Sequence, residues 1–393
     1  MSVPARLQEL HPELTRWRRE LHQHPQTAFE ETFASEFITQ RLTEMGLTPH
    51  RGLAKTGVVA TLQGRQPAKG EIKAIGLRAD IDALDITEET GLPYASIFPG
   101  KMHACGHDGH TTMLLGAARY LSETRDFSGT VHFIFQPAEE NEGGGRVMVE
   151  EGLFDKFPMD AVFGMHNWPG MQVGEFASCA GPIMAAFDVF QIKVTGRGSH
   201  AAKPHESIDP IVVASQIVTA LQAVASRQTD PHDQVVVSVT QIHAGDTWNV
   251  IPTTAVIRGT VRTFRKAVQD ATEASMGRIV KGVCAAFGAQ GELWYDRRYP
   301  ATINTPREAG WTTDVLKQTF GAEQVDESPR PSMGGEDFSF MLQKRPGSYI
   351  WAGNGPIDGD RLLHNPHYDF NDDLLPLGAT YWSRLVEHLL PLN

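Results

Sequence analysis

The feature that most constrains the fold is a repeated junction: a short apolar run of strand length stops, and acidic or histidine residues follow at once. Ile72–Arg78 leads to Asp80 and Asp82, Val131–Gln136 to Glu139 and Glu140, and Ala161–Met165 to His166. Between these runs the apolar residues fall at helical spacing. Leu7, Leu10, Leu14, Trp17 and Leu21 predict one helix, Thr32 to Met45 a second that Gly46 stops, and Thr111–Leu121 a third. Strands alternating with helices predict an α/β domain whose sheet is at least partly parallel. Ligand groups in such sheets gather beyond the carboxyl ends of the strands. The acidic and histidine residues at these junctions are therefore expected to converge.

The rhythm changes at Ala186. Phe187–Thr195 alternates like a half-exposed strand, Ile208–Ala225 reads as helix, and Gln234–Ile242 and Ala255–Thr263 as strands. Lys266–Phe287 is helical and Gly291–Asp296 is a last strand. The order β-α-β-β-α-β is the split βαβ pattern of a small α+β, ferredoxin-like sandwich. With 393 residues, two domains are expected. The economical division is a mixed-sheet α/β catalytic domain over residues 1–186 and 299–393, interrupted by an inserted domain over residues 187–298.

The formal charge is −12. An acidic balance without a basic stripe argues against a nucleic-acid surface. No apolar run is long enough to cross a bilayer. Arg16, Arg18 and Arg19 break up the N-terminal segment, which lacks the apolar core of a signal peptide. Cys105, Cys179 and Cys284 are too few and too odd in number for a disulfide framework. A cytoplasmic protein is expected.

Chemistry concentrates in Met102-His103-Ala104-Cys105-Gly106-His107-Asp108-Gly109-His110. Thiolate and imidazole are good ligands for zinc and similar divalent ions, and Asp108 is a candidate to orient a ligand histidine. In Gln136-Pro137-Ala138-Glu139-Glu140, one carboxylate can hold a metal while its neighbour faces the substrate as a base. A polar loop and a solvated acidic turn are the competing readings. His166, closing an apolar strand, and His364, in Leu362-Leu363-His364-Asn365-Pro366, read by themselves as a packed histidine and a loop histidine. Asp80 and Asp82 offer orienting carboxylates or turn caps. His200 follows a glycine-rich turn, Asn249 a loop, and Arg262 closes a strand. Gly334 and Gly335 form a tight turn before a helix, whose amides are candidates to receive an anionic group.

These motifs, taken in order, resemble the M20 metallopeptidases, in the aminoacylase and hippurate hydrolase branch that includes the IAA-amino acid hydrolases. The matching segments are Leu21-His22-Gln23-His24-Pro25, Arg78-Ala79-Asp80-Ile81-Asp82-Ala83-Leu84, the Cys105 segment and Gln136-Pro137-Ala138-Glu139-Glu140. Gly198-Ser199-His200-Ala201-Ala202, Asn249-Val250-Ile251-Pro252 and Gly334-Gly335-Glu336-Asp337-Phe338 continue the series.

The resemblance implies a zinc-peptidase-like catalytic domain and an inserted lid that dimerises. It implies two divalent ions per subunit (Zn, Mn, Co or Ni) on Cys105, His107, Glu140, His166 and His364. Glu139 is implied as general base and Asp82 as an orienting partner. His200 would arrive from a partner subunit, with Asn249, Arg262, Gly334 and Gly335 on the substrate. The expected activity is hydrolysis of an N-acyl amino acid by a homodimer or higher oligomer. The competing readings are an N-acetyl-diaminopimelate deacetylase or carbamoylase with the same centre, and a metal-stabilised binding protein without activity. Many M20 enzymes outside this branch carry His and Asp where this chain has Asp80 and Cys105.

Overall fold

Residues 3–140 and 142–392 are described by a computed structural model. The chain divides into two units. One runs to Ile183 and resumes over Thr302–Arg330 and from Asp337 onward; the other comprises Met184–Ala301 and Pro331–Glu336.

The first unit is built on an eight-stranded mixed sheet. Its strands lie in the order Pro49–Leu53, Gly57–Gln63, Thr130–Gln136, Ala74–Asp80, Ala161–Trp168, Gly347–Gly353, Phe176–Ala177, Val325–Asp326. From Thr130–Gln136 to Gly347–Gly353 the neighbours run parallel. Gly347–Gly353 is buried at every position, and Ala74–Asp80 and Thr130–Gln136 at all but their first residue. Parallel strands covered on both faces need continuous apolar sequence, which is why these runs were legible. Register pairs Asp80 with Gln136 and Trp351 with His166, so the strands end at one edge of the sheet.

The helices Ala5–Gln23, His107–Thr124 and Leu375–Leu389 pack against one another. Leu7, Leu14, Trp17, Met113, Leu114, Trp382 and Leu385 are shared in one apolar core with Leu77, Phe133 and Phe163 of the sheet.

Three boundaries beside the polar junctions differ from expectation. The third helix begins at His107 rather than Thr111, so the last four residues of the histidine segment, His107 to His110, form its first turn rather than a loop. Gly106 makes this possible: it sits at φ +92°, and a Cβ there would collide with the Asn167 side chain. The strand expected over Ile72–Arg78 occupies Ala74–Asp80. The strand expected to stop before His166 carries on to Trp168, so His166 lies within it.

The second unit holds a four-stranded antiparallel sheet in the order Val235–His243, Thr254–Thr263, Ala186–Thr195, Gln290–Tyr299. This is the ferredoxin-like order that the βαββαβ pattern predicts. Its core joins Phe190, Ile192, Ile257 and Val261 of the sheet to Ile217 and Leu221 of helix Pro210–Ala223 and Met276 and Val280 of helix Lys266–Ala286. Asp209 caps the first of these helices, its carboxylate accepting the Ile211 N–H at 2.8 Å. Ser199–His200 pairs with Val250–Ile251 in a short ribbon. Pro331–Glu336, expected with the C-terminal part of the catalytic domain, groups here instead. The reason is local pairing: Ala185 N–H donates to Ser332 O and Gly334 O, each at 3.0 Å.

Candidate metal centre

The parallel strands deliver their polar ends to one place. Cys105, His107 and His166 form one group of donors and Cys105, Glu140 and His364 another, the ligand atoms of each lying within 4.8 Å of one another. Cys105 belongs to both. Its Sγ is 3.3 Å from His166 Nε2. His364 Nε2 is 3.1 Å from Glu140 Oε1. Glu139 joins His107 and Glu140 in a further group.

Each donor is oriented from behind. His107 Nδ1 faces Asp82 Oδ1 at 3.1 Å, which puts the ring proton there and turns Nε2 inward. His166 Nδ1 donates to the Asn167 carbonyl at 2.6 Å, so its Nε2 is the open nitrogen. The other Asp82 oxygen accepts the Glu140 N–H at 2.9 Å. Asp80 takes Arg78 at 2.7 Å and His110 at 2.6 Å, and lies 3.9 Å from His107 Nε2. His364 adopts φ +60°, a left-handed conformation uncommon outside glycine, and its N–H donates to Ala104 O at 2.7 Å.

The surrounding carboxylates favour positive charge at His107. Burial by itself would lower His107, yet Asp80 and Asp82 outweigh it and raise its pKa to about 10. Burial, with Glu140, Glu139 and Asp80 around it, pushes the Cys105 thiol well above its usual value. Burial and the neighbouring His110 hold His166 well below the usual histidine range, leaving a neutral ring. His107 Nε2 is buried and makes no hydrogen bond. Thiol, imidazole and carboxylate donors around this unpartnered buried nitrogen fit divalent transition-metal ions.

The second unit places its expected residues as follows. On the short ribbon, Ala202 N–H donates to His200 Nδ1 at 3.0 Å, so in the neutral ring Nε2 carries the proton. Ala201 N–H donates to Asn249 O at 2.9 Å, tying Asn249 beside His200. Arg262 stacks 4.2 Å over the Phe187 ring, and its Nε–H donates to Met333 O at 3.0 Å, next to the Gly334–Gly335 turn. The Gly334 amide, expected to be open to an anion, donates to Ser332 Oγ at 3.0 Å.

The sequence profile of peptidase family M20/M25/M40 matches residues 76–388. The chain belongs to this family. The hippurate hydrolase of Campylobacter jejuni is 38% identical over 387 residues, 98% of this chain and 99% of that protein. An N-acetylcysteine deacetylase of Bacillus subtilis is 40% identical over 385 residues, 96% of each. Among solved structures, a dinuclear metal binding peptidase of the M20 family from Bacillus subtilis matches with a TM-score of 0.85 at 36% identity, over 98% of this chain and 99% of that one. The resemblance read from the motifs is borne out, and with it the mixed-sheet α/β fold. As an M20 member the chain is a hydrolase of amide bonds.

Within this M20 site, two of the sequence readings need amending. Asp108 does not orient a ligand histidine: it turns to His22 Nδ1 at 2.8 Å. His110, read only as part of a cluster, is an internal brace, accepting the Asn167 N–H at 2.9 Å while its Nδ1 faces Asp80. Asn167 itself was missed. Its Nδ2 donates to Cys105 O at 2.6 Å and its Oδ1 accepts from Tyr368 Oη at 2.9 Å. An amide side chain directly after the strand histidine was the available signal. Among the described residues no helix is long and apolar enough to cross a membrane.

Proposed function

We propose that this M20 chain is a cytoplasmic amidohydrolase that cleaves N-acyl amino acids, such as hippurate or N-acetyl amino acids, to a carboxylic acid and a free amino acid. Two divalent ions, drawn from Zn, Mn, Co or Ni, would be held by Cys105, His107, Glu140, His166 and His364. The observation that carries this reading is the pair of donor groups sharing Cys105, with the buried Glu139 carboxylate beside them. The names of the relatives, hippurate hydrolase and N-acetylcysteine deacetylase among them, support the substrate class.

Bound divalent ions supply Lewis acidity toward the amide carbonyl and lower the pKa of water toward ~7 in favourable sites. Glu139 takes a proton from the attacking water as its oxygen bonds to the acyl carbon. It then gives that proton to the amide nitrogen as the C–N bond breaks. Asp337 N–H, 3.4 Å from Glu139 Oε1, steadies the carboxylate. His200 donates through Nε2 to the developing oxyanion. Arg262, Asn249 and the Gly335 amide receive the substrate carboxylate. Gly334, already committed to Ser332, shapes the turn.

His200 is assigned to the site of a second copy, in a homodimer or larger assembly formed through the inserted unit. Supporting this, Ile242, Trp248 and the ribbon residue Val250 of the inserted unit are large apolar side chains left exposed.

The test is amino-acid release from hippurate and N-acetyl amino acids by wild type and Glu139→Ala, with metal content measured alongside. Wild-type turnover and a loss on the order of 100- to 10,000-fold in the variant are expected. Near-wild-type turnover by a metal-replete Glu139→Ala protein would sink the mechanism.

A further inference from the structure

Glu31 precedes the helix Thr32–Glu44, where a carboxylate is ordinarily spent on the free amides of the first turn. This one is not: it makes no side-chain cap. Its side chain turns inward, fully buried. There it collects donors from three separate segments. Oε1 accepts the Phe29 N–H at 3.0 Å and the Ala138 N–H at 2.9 Å, and Oε2 accepts the Thr56 hydroxyl at 2.6 Å.

The segments it ties are strained. Phe29 (φ +63°), Ala54 (φ +48°), Lys55 (φ +66°) and Ala138 (φ +54°) are all non-glycine residues in the left-handed region. Such conformations persist only where the surroundings impose them, and they gather at functional sites. Ala138 is the residue at which the chain leaves strand Thr130–Gln136 and turns into Glu139 and Glu140. Its carbonyl is held from the other side by the Gly144 N–H at 2.9 Å. A Cβ on Gly144 would overlap the Pro137 carbonyl, so the glycine run closes tightly under this turn. A carboxyl is a costly way to hold a loop here: burial, with the nearby Asp82 charge, raises Glu31 to about 7.

We propose that Glu31 is a positioning residue of the amide-cleaving reaction, clamping the left-handed turn at Ala138 so that Glu139 faces the reacting bond. The proposal rests on the reading of Glu139 as general base. It acts through geometry, since Glu31 reaches the turn by its backbone amide. A displacement of the base by about 1 Å costs on the order of 100-fold in turnover, with little reason for substrate binding to change.

Two conservative variants separate reach from charge. Glu31→Gln loses the charge but keeps the length: its Oε1 still accepts from Phe29 and Ala138, and its amide donates to the Thr56 hydroxyl. Glu31→Asp keeps the charge but is one methylene too short to serve all three donors. Measured on the metal-replete full chain, Glu31→Gln is expected to retain most of kcat. Glu31→Asp is expected to lose on the order of 100-fold in kcat with KM and metal content near wild type. Hydrogen–deuterium exchange at the Ala138 amide should be faster in Glu31→Asp than in wild type.

Equal kcat in wild type and Glu31→Asp, or a larger loss in Gln than in Asp, overturns the clamp. Unchanged Ala138 exchange in Glu31→Asp overturns it also, and this readout needs no turnover. A metal-replete wild type that releases no amino acid from any N-acyl substrate sinks the underlying activity instead, and exchange then decides the clamp by itself.

Discussion

Asp82 Oδ1 lies 3.1 Å from His107 Nδ1, and this one contact sets which nitrogen of His107 points into the donor cluster. The same carboxylate holds the Glu140 backbone at 2.9 Å, so one side chain aligns donors that come from two different elements. Replacing Asp82 by Ala frees the imidazole to rotate and releases the Glu140 turn. Metal affinity is expected to fall by about 10- to 100-fold. Isothermal titration of metal-depleted protein checks it, and unchanged affinity would mean that the cluster is held by other contacts.

Asn167 binds the site together in a different way. It joins Cys105 O, His110 Nε2 and Tyr368 Oη, all of them buried. Asn167→Ala strands Cys105 O and Tyr368 Oη, while the backbone N–H still serves His110 Nε2, at about 1–3 kcal/mol for each buried group left without a hydrogen bond. The expected result is a lower Tm together with a weakened thiolate-to-metal absorption band in the Co(II)-loaded protein. A lower Tm with an unaltered band would reduce Asn167 to a purely structural residue.

His22 supplies a pH test away from the metal donors. It is fully buried between Asp108 and Glu88. Burial opposes its charge, but hydrogen bonds to Asp108 and Glu88 prevail and raise its pKa to about 9, against about 6.5 in an unfolded chain. The folded form therefore binds the proton more tightly. The associated stability is complete below about 6.5 and is lost as the pH climbs through about 9. Denaturant midpoints measured between these values should fall for wild type and fall less for His22→Gln. Parallel slopes in the two proteins would contradict the assignment.

Much of this site could be read before the fold was known, for a physical reason. Central parallel strands are buried on both faces, so their sequences are apolar throughout and their ends are abrupt; Asp82, Glu139 and Glu140 stand out by following them directly. Cys105 and His107 stand out by density. His166 and His364 do not, because a histidine in a strand and a histidine in a loop have commoner uses; the ordered family motifs singled them out. The strand Gly347–Gly353 left little trace, its apolar centre being short and framed by glycine and serine. The helix start at His107 was hidden because its cap is a left-handed Gly106, whose signal is the collision a side chain would make with Asn167. Glu31 was invisible for the opposite reason: it sits where an acidic residue already has an ordinary explanation.

The central claim is that Cys105, His107, Glu140, His166 and His364 hold two ions on which amide hydrolysis depends. The most direct measurement strips the protein with a chelator, then titrates Zn, Mn, Co or Ni back while following amino-acid release from a panel of N-acyl amino acids. The account predicts no turnover after stripping and recovery that saturates at two ions per chain. Turnover that survives complete metal removal, or two bound ions with no release from any N-acyl amino acid, would contradict it.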